Sequence, residues 1–261
     1  MRQVRAVIRL TRIDSSILIF MAVLVPLYSR SKNLLWSVEK ALPLLFIAIC
    51  TYIANDLDDI ERDKTNHPQR PLPSQQLTTA VAALLYFASL AFALLTARLF
   101  IPSGTVAWYY TTLILAISYT YVVEWLPGMK AAYVACALSL PILIVKDFYP
   151  SEQRLRLVAG VVFLLSLGRE LCKDLVDRTG DRKSFMHLIE PNTIAVVAFA
   201  AQIGALLLLL PAATTATAAA DLILMACILL LAIRYWHTPA TRDRSIYLMK
   251  MQLLAGLYFL I

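Results

Sequence analysis

Asn55-Asp-Leu-Asp-Asp-Ile-Glu-Arg-Asp63 carries an apolar helix straight into five carboxylates. Asn55, Asp59 and Asp63 recur at four-residue spacing, so a helix through them stacks all three on one face. Like charges placed that way repel, and nothing about folding asks for them. A second acidic stretch, Lys173-Asp-Leu-Val-Asp-Arg-Thr-Gly-Asp181, closes another apolar run far downstream. The expectation is that the two stretches face each other across one metal-diphosphate site.

The rest of the chain sets these stretches in a membrane. Of its 261 residues 60% are hydrophobic and 16% charged, where a soluble domain carries roughly a quarter charged residues. Several apolar runs approach the roughly 20 residues that cross a bilayer. The fold class is therefore an all-α membrane protein, a single polytopic domain over residues 1–261. Its nine candidate helices cover about 13–29, 38–60, 76–98, 104–123, 129–146, 153–176, 192–211, 217–235 and 245–261. A transmembrane barrel is excluded by the few glycines, seven in all, and by the lack of strict alternation. Arg2, Arg5, Arg9 and Arg12 precede the first run with no small-residue cleavage site, so that run reads as a retained span.

The net charge of +7 is scattered among short loops, a pattern of membrane orientation and anionic lipid contact and not of nucleic-acid binding. Cys50, Cys136, Cys172 and Cys227 sit singly in apolar runs and read as small core residues, neither disulfides nor a zinc site. Trp108, Tyr109 and Tyr110 read as interface anchors, and His67, His187 and His237 as loop residues without metal-ligand spacing. Counting Lys and Arg by side gives fifteen on the N-terminal side against seven opposite, which favours a cytoplasmic N-terminus. Four spans separate the two acidic stretches, so both return to the same side.

A solvated loop also carries charge, but the distribution here is uneven. Of seventeen acidic residues, nine fall in the two stretches or in the turn just before the second: Asp56, Asp58, Asp59, Glu61, Asp63, Glu170, Asp174, Asp177 and Asp181. Concentrated carboxylate oxygens suit a hard cation such as Mg²⁺, which takes one or two per ion and completes its shell with water and phosphate. Basic residues follow each cluster, Arg62, Lys64 and Arg70 after the first, Arg178, Arg182 and Lys183 after the second. Acid for the metal and base for the remaining phosphate oxygens is the pairing that a metal-diphosphate requires.

Asn55-Asp56-x-x-Asp59-x-x-x-Asp63, followed by Asn66-His67-Pro68-Gln69-Arg70-Pro71-Leu72-Pro73-Ser74, resembles the first signature of the UbiA superfamily of intramembrane prenyltransferases. Lys173-Asp174-x-x-Asp177-x-x-x-Asp181 resembles the second. The resemblance implies a helical bundle around a central cavity that holds an isoprenyl diphosphate by Mg²⁺. It implies that Asn55 and Asp59 bind one ion, supported by Asp56 and Asp63, and that Asp177 and Asp181 bind the other. Asp174 joins the second set or orients Lys173. Arg70 caps the diphosphate, with Lys183 as a second candidate. Family members often carry Tyr-x-x-x-Leu-Lys late in the fourth helix. Here the run is Tyr119-Thr-Tyr121-Val-Val-Glu124-Trp125, with Glu124 near the Lys position. Tyr119 and Tyr121 match, as candidate catalytic and substrate-binding residues; either Glu124 takes the Lys position or Lys130 substitutes, the latter only if the following loop folds back. Where the family usually has a small Gly after Pro73-Ser74, this chain has Gln75.

The resemblance also frames the reaction. Ionisation of an allylic diphosphate in an apolar, water-poor cavity leaves a carbocation with two fates. An acceptor, aromatic or lipid-like, attacks it in the transferases that make up most of the superfamily. In UbiA-type terpene cyclases it closes on itself. An aromatic acid acceptor calls for a nearby cation, for which Lys40 and Arg9 are candidates. A transporter calls for polar residues at mid-span, but both acidic helices are apolar until their ends. The CDP-alcohol phosphotransferases are excluded by the missing Gly-Ala-Arg between the acids.

Overall fold

Over the described residues each of the nine expected spans holds a helix, and two short helices accompany them. The computed structural model describes residues 2–125, 129–149, 154–177 and 189–256, with no strand among them. The long helices are α2 (Ile13–Ser31), α3 (Leu34–Asp58), α5 (Thr79–Phe100), α6 (Val106–Trp125), α7 (Lys130–Phe148), α8 (Arg154–Val176), α9 (Pro191–Leu209), α10 (Ala216–Trp236) and α11 (Arg242–Gly256). The additions are α1 (Arg2–Leu10) and α4 (Ile60–Asn66). Among the described residues six helices, α2, α3, α5, α7, α9 and α10, are long and apolar enough to cross a membrane. Leu84, Phe87, Leu99, Ile114, Val196, Ile223 and Leu230 are each more than 60% exposed, an apolar exterior that lipid and not water covers. The chain is an integral membrane protein.

The chain divides into two compact units, one carrying α1–α6 and the other α7–α11. In the first unit α3 is the centre, packed on α1, α2, α5 and α6. Asn33 caps its start by accepting from the Trp36 amide at 3.0 Å, and Thr78 caps α5 through the Val81 amide at 3.3 Å. Leu44, Ile47, Ala48, Cys50 and Ile53 are buried along α3. Tyr109 corrects one expectation: it is fully buried, and its hydroxyl donates to the Lys40 carbonyl at 2.7 Å, so it belongs to the core and not to an interface belt. Lys40 is buried as well, and its ammonium meets the Phe100 carbonyl, where a cation complements the end of α5. Of the cysteines, Cys50 and Cys172 are core residues as expected, whereas Cys136 and Cys227 lie exposed on the helix exterior.

In the second unit α8 is the centre, packed on α7, α9 and α11, with α10 against α11. Buried polar side chains tie neighbouring helices through carbonyls, as apolar surroundings favour. Gln202 donates to the Leu165 carbonyl at 2.6 Å, Ser245 to that of Ala232 at 2.8 Å, and Gln252 to that of Met225 at 3.3 Å. Gly168 marks a close approach of α8 and α9, since a Cβ there would lie 2.5 Å from the Ala198 carbonyl oxygen and 2.8 Å from Gln202 Nε2. Gly168→Ala is expected to destabilise this unit by about 1–3 kcal/mol, because a backbone must move. Gly160→Ala, with nothing within 4 Å of the added methyl, is the control that keeps its melting temperature. Equal thermal stability of the two variants in detergent would refute the close-approach argument.

Candidate active site

The first acidic stretch does not lie on one uninterrupted helix. Asp59, at φ −89° and ψ 7°, separates α3 from α4. The four-residue ladder nevertheless runs through the break: Asp59 N–H bonds Asn55 O at 3.0 Å, Asp63 N–H bonds Asp59 O at 2.8 Å, and His67 N–H bonds Asp63 O at 2.8 Å. Asn55, Asp59 and Asp63 therefore keep the helical succession that their spacing predicts. Asn55 Nδ2 donates to Asp59 Oδ2 at 3.1 Å, a bond that engages the amide nitrogen and not the amide oxygen.

Arginines surround these carboxylates. Arg70 Nη1 meets Asp63 Oδ2 at 2.6 Å and Asp56 Oδ1 at 3.5 Å, Arg62 meets Asp59 at 3.0 Å, and Arg12 Nη2 meets Asp56 Oδ1 at 2.5 Å. Asp56 and Asp63 are buried, and such carboxylates persist in apolar surroundings only when paired. Burial pushes the Asp63 carboxyl above its ordinary range, with Arg70 pulling the other way. Arg12 was legible only as a charge flanking the first span. Its partner lies 44 residues away, and its guanidinium also covers the Tyr52 ring at 5.2 Å.

Arg70 is positioned by the loop after α4. Its N–H bonds His67 O at 3.0 Å, and its own carbonyl accepts from Ser74 N–H at 3.1 Å and from the Ser74 hydroxyl at 2.6 Å. The next residue, Gln75, sits at φ 56°, in the left-handed region that favours glycine. This is the position at which the resembling family carries Gly. Gln75→Gly is expected to fold as well as the parent or slightly better, by under about 1 kcal/mol. Gln75→Val, β-branched at positive φ, should lower the melting temperature. The reverse order in a thermal melt would refute the assignment.

The second acidic stretch ends α8 in the other unit. Lys130 Nζ meets Asp174 Oδ1 at 2.7 Å, so the cation proposed to stand in for the family lysine is engaged with a motif carboxylate. Glu170 accepts from Lys173 Nζ at 2.8 Å and pairs with Arg169 Nη1 at 3.1 Å. Asp177, half-buried, follows the last turn of α8. Arg169, missed by sequence reasoning, stands beside Glu170 where the apolar part of α8 gives way to its charged end. Tyr119 is half-buried on α6. Arg178, Asp181, Arg182, Lys183 and His187, and the side chains of Tyr121 and Glu124, lie outside the described residues.

Among the described residues, no three His, Cys, Asp or Glu side chains converge as a ready-made metal cage. A structural zinc site or a calcium loop would need one. Mg²⁺ does not, since it takes one or two protein carboxylates and fills its shell with water and phosphate. The oxygen-rich Asn55–Asp59 pair, with arginines at hand for phosphate, fits that cation.

An all-helical membrane chain with Asp-rich helix ends, each balanced by Arg or Lys, defines a class of intramembrane protein. The chain belongs to the UbiA prenyltransferase family, whose model matches residues 15–254 and so spans both units. The digeranylgeranylglyceryl phosphate synthase of Methanoculleus marisnigri is 26% identical over 215 residues, covering 77% of this chain and 75% of the relative. That of Sulfolobus acidocaldarius is 27% identical over 173 residues, a match covering 59% of this chain and only 56% of the relative. A UbiA homologue from Aeropyrum pernix K1 superposes with a TM-score of 0.77 at 18% identity, over 94% of this chain and 98% of that one. A UbiA homologue from Archaeoglobus fulgidus bound to GPP and Mg²⁺ gives 0.69 at 15% identity, over 98% and 99%. These structures share the fold.

Proposed function

We propose that this chain is a Mg²⁺-dependent intramembrane prenyltransferase, which ionises an isoprenyl diphosphate and transfers the prenyl group to a small acceptor with release of diphosphate. The observation that carries the reading is the Asn55–Asp63 ladder, where oxygen ligands and arginines share one helix end of a UbiA-family chain. Asn55 and Asp59 hold one Mg²⁺, with Asp56 and Asp63 as support. Asp177 and Asp181 hold the other, with Asp174 kept in place by Lys130. Mg²⁺, when bound, supplies the Lewis acidity that draws electrons into the leaving diphosphate. Arg70 neutralises phosphate oxygens, with Lys173 and Lys183 as further cations. Tyr119 is the candidate catalytic tyrosine and Tyr121 the candidate substrate-binding one. Apolar walls suit the tail, at about 0.8 kcal/mol for each buried CH₂, and exclude the water that would quench a carbocation.

Among acceptor classes, the relatives named digeranylgeranylglyceryl phosphate synthase favour a lipid-like glyceryl phosphate over an aromatic ring. The basic residues on the N-terminal side support a cytoplasmic N-terminus and motifs. The deciding experiment incubates purified protein with Mg²⁺ and prenyl diphosphates of several lengths, with and without aromatic and glyceryl phosphate acceptors. A prenylated acceptor is the expected product. A cyclic hydrocarbon formed without acceptor would replace transfer by the cyclase reading.

A further inference from the structure

Helix α1 was not among the expected spans, and its nine residues present three different faces. Ala6 and Leu10 are fully buried and pack in one cluster with Ile53, Leu72, Leu77 and Ala82, the apolar floor beneath the first acidic motif. Val4 and Ile8, one turn apart, are 62% and 48% exposed. Arg5 and Arg9, also one turn apart, are exposed on the third face. At 100° per residue these pairs fall in separate sectors around the helix axis. A helix in water gains nothing by exposing Val4 and Ile8, and a helix across the bilayer would strand both arginines.

Its position removes the contradiction. Thr11 Oγ1 closes α1 by donating to the Val7 carbonyl at 3.0 Å, and Arg12 turns the chain at φ 42°. The membrane span α2 begins at the next residue, Ile13. A helix ending two residues before a span lies at the membrane surface. There, apolar side chains enter the acyl boundary while arginines meet headgroups.

We propose that α1 is an interfacial helix that docks on anionic phospholipid, with Arg5 and Arg9 on the headgroups and Val4 and Ile8 in the acyl boundary. Charge complementarity selects the occupant: two exposed cations beside two exposed aliphatic residues match an anionic bilayer surface better than a soluble anion, which would leave Val4 and Ile8 in water. Docking would hold α1 over the motif that its inner face already supports, next to the Arg12–Asp56 pair.

Amide hydrogen exchange on the full chain in vesicles tests this without any assay of prenyl transfer, so its failure is separate from failure of the proposed reaction. In phosphatidylcholine vesicles containing roughly 30% phosphatidylglycerol, amides of α1 should exchange about thirtyfold more slowly than in pure phosphatidylcholine, the weight of two cations at an anionic surface. Arg5→Gln/Arg9→Gln should erase the difference, as should salt at about 0.5 M. Val4→Ser/Ile8→Ser should speed exchange in both lipids. Equal exchange of the parent in the two vesicles would overturn the proposal. So would equal slowing by inorganic phosphate in pure phosphatidylcholine, which would make the arginines a soluble-anion site.

Discussion

Asp59→Ala, and separately Asp177→Ala, should reduce prenyl transfer at least about a hundredfold while leaving folded protein in the membrane. The size of the loss is that of removing a group that stabilises charge in the transition state, typically 10²–10³. The retention of fold follows from where Asp59 sits. Its side chain is 21% exposed, ends a helix, pairs with Arg62 at 3.0 Å across an i,i+3 spacing and accepts from Asn55 Nδ2 at 3.1 Å, so its removal costs about 1–3 kcal/mol, less than the loss of a core side chain. Excess EDTA should silence the parent enzyme to the same extent, and Mg²⁺ should restore it. Glu61→Ala is the control within the same acidic stretch, since its carboxylate is 82% exposed and pairs with Lys64 at 2.6 Å on a surface turn. Full activity of Asp59→Ala or Asp177→Ala, or indifference to EDTA, would end the metal-diphosphate reading. A melt that fell in step with activity would make Asp59 a structural residue instead.

The spans were legible because an apolar run of about 20 residues has few other uses, and the helix-period spacing of Asn55, Asp59 and Asp63 survived even a break at Asp59. What stayed hidden was of two kinds. Helix α1 is too short for a periodicity argument, and its faces acquire meaning only when Ala6 and Leu10 are seen against Ile53 and Leu72. Side-chain pairing across distance was the other. Arg12 looked like an ordinary flanking charge and Lys130 entered only as a stand-in for the family lysine, and no local pattern connects them with Asp56 and Asp174. Tyr109 misled for a related reason, because an aromatic near a helix start suits an interface belt equally well until its partner, the Lys40 carbonyl, is known. Gln75 shows the converse: a departure from a resembling family pointed to a backbone position whose φ of 56° explains what the family uses there.

Glu170→Gln should be the most destabilising charge change in the second unit. The Glu170 carboxylate is 4% exposed and lies between Arg169 at 3.1 Å and Lys173 at 2.8 Å, one turn before the Lys130–Asp174 pair. Among the described residues from Arg169 to Asp174, together with Lys130, three cations are thus balanced by two carboxylates. Glutamine keeps the shape and one acceptor oxygen but turns an N–H₂ group toward cations, leaving three positive charges against one negative. Breaking a buried pair costs about 3–5 kcal/mol, chiefly for the charge left uncompensated. For a chain of this size that corresponds to a fall of about 10 °C in melting temperature. Glu170→Gln/Lys173→Met removes the stranded ammonium along with the carboxylate, so the double variant should recover much of the loss although it is the more altered protein. That reversal distinguishes charge compensation from a packing defect, under which the second substitution would add to the first. A Glu170→Gln protein that melts with the parent would mean that water or lipid headgroups reach this cluster. The fixed positive charge at the second motif would then come from Lys130 and Lys173 without Glu170 restraining either.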